Sequence, residues 1–129
     1  MHHPTLKLMN ESSREVCFLI GRNAEVLWAD LSGTSSALPD SRGRWERIWT
    51  LRAEIAEIAH SHPRGPAAFS AEDETTMAAL TSALGRAIRF SVVAPSTVIV
   101  RKGERARPVD PEPWWADLMR LASGMNSAK

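Results

Sequence analysis

The stretch His60-Ser61-His62-Pro63-Arg64-Gly65-Pro66-Ala67-Ala68-Phe69-Ser70-Ala71-Glu72-Asp73 sets two histidines two residues apart, then places an aspartate eleven residues after the second and three after a serine. On an extended segment, residues i and i+2 project from the same face, so His60 and His62 can offer their imidazole nitrogens to one ion. The second half of the stretch opens a helix. Ser70 is a good N-cap, acidic residues fill the first turn, and Met77, Leu80 and Leu84 form an apolar stripe that stops before Gly85. A strand that ends in two imidazoles and a helix that begins with a carboxylate supply an N, N, O donor set. Zinc accepts such a set, and a hydrolytic site leaves its fourth position open. Ser70 and Asp73 taken alone would be an ordinary capping motif. With the histidines included, chance placement in this composition yields the pattern roughly 0.0005 times per chain.

Upstream, Glu15-Val16-Cys17-Phe18-Leu19-Ile20 reads as a buried strand and Glu25 to Asp30 as its partner, with Gly21 to Ala24 turning a hairpin between them. The Ser-, Gly- and Pro-rich run from Leu31 to Arg44 reads as an exposed loop. Trp45, Ile48, Trp49, Ile55 and Ile58 are spaced as on one helix, yet the histidine pair asks for an extended approach. The expectation over residues 45 to 59 is therefore a helix first and then a strand. Downstream, Ile88 to Val93 and Thr97 to Arg101 read as strands, and Lys102-Gly103 as a turn. Pro108, Pro111 and Pro113 mark a stiff connector. Residues 113–123 then suit a short amphipathic helix that ends near Gly124 and docks through Trp114 and Trp115. Strands alternating with helices indicate an α/β fold, and with no repeat or low-complexity tract the expectation is one domain over residues 1–129.

Sixteen basic against fifteen acidic residues leave a formal charge of +1, which lacks the footprint of a dedicated nucleic-acid binder. The single Cys17 cannot form an internal disulfide, which suits a reducing compartment such as the cytoplasm. No run approaches the roughly 18 apolar residues that span a bilayer, and no secretory leader is evident. His2 and His3 stand together at the N-terminus without fixed geometry and are assigned no role.

With its serine between the histidines, Pro63, Gly65 and the upstream Glu-Val-Cys, the pattern His-x-His-x7-Ser-x2-Asp resembles the JAMM, or MPN-plus, metalloproteases of the JAB-domain class, most of all their short prokaryotic members. The resemblance by motif runs from about residue 15 to 73. It implies a central mixed β-sheet flanked by helices in a cytidine-deaminase-like architecture. It also implies that His60, His62 and Asp73 ligate Zn2+, that Glu15 is the general acid/base, and that Ser70 stabilises the oxyanion. The activity implied is hydrolysis of an amide or isopeptide bond at the C-terminus of a ubiquitin-like or sulfur-carrier protein. The alternatives are a peptidase that releases an amino acid or small peptide from a carrier protein, and a non-catalytic MPN-type interaction module. Glu11 and Glu25 are substitutes for Glu15, although neither opens a Glu-Val-Cys strand. Phe18 and Phe69 stand where relatives often carry Gly and Pro, and Phe69 is expected to reshape the substrate groove.

Overall fold

A computed structural model describes residues 13–103 and 105–125, so His2, His3 and Glu11 lie outside the described residues. The chain enters through β1 (Cys17–Gly21), whose five residues are all buried, and returns antiparallel in β2 (Val26–Asp30). The hairpin closes where the Gly21 amide donates to the Glu25 carbonyl at 2.8 Å. A Cβ on Gly21 would lie 2.2 Å from Glu25 Oε1, so a side chain there would displace the Glu25 carboxylate.

Helix α1 (Arg42–Thr50) begins three residues earlier than its apolar pattern, because the Ser41 side chain caps it by accepting from the Arg44 amide. The chain then turns and runs into β3 (Ile55–Ser61). Helix followed by strand is thus the observed order, despite the helical spacing of Ile55 and Ile58. Both are β-branched, and β3 lies at the centre of the sheet between β1 and β4, where pairing on both edges outweighs local periodicity.

A right-handed crossover is the general rule for parallel strands joined through a helix, and here α2 (Ala71–Leu84) connects β3 to its parallel neighbour β4 (Arg89–Val93). The left-handed Gly85, at φ 70°, ends α2. Next come β5 (Val98–Arg101) and β6 (Ala106–Pro108), both antiparallel to their predecessors, and α3 (Trp115–Ser123). The sheet order is β2-β1-β3-β4-β5-β6. Pro108 therefore belongs to a short edge strand and not to the connector, at a place where a missing amide donor is tolerated.

Alternation along β1 divides the core in two. Cys17 and Leu19 face α1 and α2 with Ile48, Met77, Leu80 and Phe90, whereas Val16, Phe18 and Ile20 face α3 with Trp115, Ala116 and Met119. The architecture is α/β, a six-stranded mixed sheet with helices on both faces. Helix α3 docks through only one of the two tryptophans expected to hold it. Trp115 is 1% exposed, while Trp114 is 61% exposed and only its indole N–H is engaged, on the Ala24 carbonyl. Trp115 and Met119 fill the interface, and small Ala116 and Ser123 let the helix approach closely, so Leu118 and Leu121 are turned outward. Among the described residues, no helix is long and apolar enough to cross a membrane.

Candidate metal centre

The site forms where β3 ends and α2 begins. Ser61 points through the sheet to the α3 side, where its hydroxyl accepts from the Val16 amide at 2.9 Å and lies 3.0 Å from Ser123 Oγ. Its neighbours His60 and His62 consequently point to the opposite side. The His62 amide donates to the Val93 carbonyl at 2.9 Å, which continues the β3–β4 pairing one residue past the strand and fixes the second imidazole.

Asp73 arrives from the first turn of α2 through a reciprocal cap. The Asp73 amide donates to Ser70 Oγ at 3.0 Å, and the Ser70 amide donates to Asp73 Oδ2 at 2.7 Å. The capping reading and the ligand reading of these two residues therefore coexist, since the cap orients the carboxylate. His60 Nε2 lies 3.1 Å from His62 Nε2 and 3.1 Å from Asp73 Oδ1, and His62 Nε2 lies 3.4 Å from Asp73 Oδ2. One donor atom from each residue lies within 4.8 Å of the other two, a grouping that could hold a metal ion. All three side chains are largely covered, at 15%, 11% and 18% exposure.

The imidazole of His62 is oriented from behind. Its Nδ1 is 3.0 Å from the Pro66 carbonyl, an oxygen that can only accept, so Nδ1 carries a proton and the neutral ring presents the Nε2 lone pair to the site. Burial favours the neutral form of His62, but the hydrogen bonds to Asp73 and the Pro66 carbonyl outweigh it and raise its pKa. For Asp73, burial is likewise overcome by the hydrogen bonds from His60 and His62, and its carboxyl is held far below the ordinary carboxylate range.

Glu15 lines the same cleft, two residues before β1 and not within it. The ladder changes there because the Val16 amide goes to the Ser61 side chain and the Glu15 amide to the Thr34 carbonyl at 2.8 Å. The β1–β3 pairing ends with Cys17 opposite His60, and Glu15, two residues earlier, lines the cleft together with both histidines. Burial, partly offset by the charges of His62 and His60, raises the Glu15 pKa above its ordinary value. Glu25 is excluded as its substitute by position, since it closes the hairpin at the other end of β1, with its carboxylate on the Asn23 amide.

A sequence profile of the prokaryotic homologs of the JAB domain matches residues 6–117. The chain belongs to this family. No curated protein matches it. In this JAB domain the segment from residue 31 to 41 does more than an exposed loop requires. Gly33 lies against the Glu15 backbone so closely that a Cβ would fall 2.2 Å from its carbonyl oxygen. The loop is pinned by a buried ion pair, Arg44 Nη1 to Asp30 Oδ2 at 2.7 Å, and by Arg44 Nη2 donating to the Pro39 carbonyl at 2.9 Å. None of these partners carries a local signal, because a glycine in a loop and an arginine in a helix are commonplace. Phe69 does not line the cleft; its ring packs toward the core, 6.4 Å from the His60 ring and 5.1 Å from the Arg101 guanidinium.

Proposed function

We propose that this JAB domain is a zinc-dependent hydrolase of amide or isopeptide bonds, acting at the C-terminus of a ubiquitin-like or sulfur-carrier protein. The observation that carries the reading is the convergence of His60, His62 and Asp73 in one cleft with Glu15. The donor set fits zinc. Bonds of roughly 2.0 to 2.1 Å in a tetrahedral site set neighbouring donors about 3.3 Å apart, and the two Nε2 atoms are separated by 3.1 Å. Zinc held there would supply Lewis acidity, polarising the scissile carbonyl and acidifying water.

The chain's own residues divide the remaining work. Glu15, half-buried and with a raised pKa, is suited to accept a proton from the attacking water and return it to the leaving amine. Ser70 Oγ accepts from the Asp73 amide, which leaves its O–H to donate to an oxyanion. Asp73 and His62 are both oriented by backbone groups, Ser70 N–H and Pro66 C=O, so the donors are arranged in advance.

The test joins metal content to turnover. About one zinc per chain is expected, lost in His62→Ala and in Asp73→Ala. Glu15→Gln should retain zinc and lose roughly 10²- to 10⁴-fold in turnover. The substrates to compare are a carrier with a Gly-Gly tail extended by one amino acid and the same tail joined to a lysine side chain. A protein that stays free of metal when zinc is supplied overturns the hydrolase reading and leaves the interaction module in its place.

A further inference from the structure

The cleft that holds the three donors does not stop at them. It encloses about 720 Å3, within the range of roughly 300 to 1,000 Å3 common for ligand sites, and runs inward between α1 and α2. Its mouth is polar, with Glu15, His60, His62, Ser70 and Asp73. Beyond the histidines the lining changes character. Trp45 and Ile48 from α1, Met77 and Leu80 from α2, and Ile58 and Phe90 from the sheet form the walls and floor. Cys17 lies beside His60 in the lining, and its buried thiol acts there as a small apolar group.

Of the two arginines that line the cleft, Arg44 is already committed. It is bonded to the Asp30 carboxylate and to the Pro39 carbonyl, so its charge is neutralised and two of its nitrogens are occupied. Arg44 therefore brings no uncompensated charge to the apolar part of the lining, and the cleft's other charged residues outside the donor site, Asp40, Arg64 and Glu72, are exposed. Water there would meet few polar partners, and an apolar group would displace it favourably.

Resting on the hydrolase reading above, we infer that this recess is a specificity pocket that takes a large aliphatic or aromatic side chain adjoining the scissile bond. A tail of small residues alone would leave it unfilled, so the substrate class is an amide with a bulky apolar residue on one side. The occupant follows from continuity, since Ile58 precedes His60 on the same face of β3 and Met77 and Leu80 follow Asp73 along α2, so the apolar lining adjoins the donors.

Hydroxamates of increasing tail size separate this inference from the reading it rests on. Binding to the zinc-loaded protein is measured by calorimetry for acetohydroxamate, 4-methylpentanohydroxamate and phenylacetohydroxamate. The two larger tails are expected to bind at least tenfold more tightly than the acetyl compound, the factor of about ten that a single well-placed methylene is worth in such a pocket. Ile48→Phe should narrow the recess and abolish the tail preference. Trp45→Ala, at a half-buried position, is the second variant should the first fail to fold, and it should reduce the preference by removing one wall. If acetohydroxamate binds and the larger tails bind no better, the recess inference fails and the metal reading survives. If no hydroxamate binds, both fall. Acyl-peptide amides with Leu, Phe, Ala or Asp placed in turn on each side of a glycyl bond give the companion measurement, with Leu and Phe preferred over Asp on one side and not on the other.

Discussion

The two faces of the sheet are built from alternating residues of the same strands, yet they serve different ends. On the α3 side, Val16, Phe18, Ile20, Ala59 and Val93 meet Trp115 and Met119 with almost no exposure, and the buried polar groups are satisfied, Ser61 and Ser123 by each other and the nearby backbone and Arg120 by the Ala94 carbonyl. On the α1 and α2 side the core is interrupted. The same β3 segment that sends Ser61 into the sealed face sends His60 and His62 into a cleft, where α1 and α2 stand far enough apart to leave it open. A single-residue offset in side-chain direction thus separates packing from chemistry, because direction reverses at every residue of a strand.

Substitutions on each face should separate along that line. The largest loss of stability is expected for Trp115→Ala, about 3 to 5 kcal/mol in chemical denaturation, because a fully buried indole leaves a cavity under α3. Zinc content per folded chain should be unaffected, and a loss of metal from the folded fraction would show that the faces are not independent.

Next is Asp30→Asn, which leaves the buried Arg44 guanidinium without its counter-charge and should cost about 3 kcal/mol at neutral pH. For Asp30, burial opposes ionisation, but the bonds from Ser32 and Arg44 prevail and lower its pKa. A carboxyl with a depressed folded-state pKa contributes stability that is present above its unfolded value, about 3.9, and is lost as pH falls through the folded one. The gap between wild type and variant should therefore be full at pH 6 to 7, as ordinary carboxylate titration requires, and close progressively in acid. A gap independent of pH would assign the cost to packing.

Gly33→Ala tests whether the loop over the cleft positions Glu15. The added methyl would meet the Glu15 carbonyl, so turnover should fall by up to roughly 10²-fold with zinc content unchanged. Equal loss of metal and turnover would mean that the loop supports the fold in general. The smallest effect is expected for Leu121→Gln on the outward stripe of α3, within about 0.5 kcal/mol, since this leucine is 77% exposed.

Short-range chemistry made part of this molecule legible in advance. The i, i+2 histidines need only an extended backbone to share a face, and Ser70 with Asp73 needs only a helix start to form its reciprocal cap, so three donors could be read from spacing. The β1–β2 hairpin and α2 were legible for the same reason, because turn residues, caps and periodic apolar positions act within a few residues. What depended on distant partners was not. Ile55 and Ile58 satisfy a helical period, and only the histidine pair that follows them pointed to the strand they form beside β1. Trp114 and Trp115 look alike in sequence, and only the docking of α3 decides which one is buried. Arg44 on Asp30, Gly33 against Glu15, and the apolar recess beneath the histidines each join segments far apart along the chain. The sequence by itself determined the donors and their local geometry; the tertiary structure decided what stands around them, since packing between elements depends on which faces meet and no local pattern specifies that.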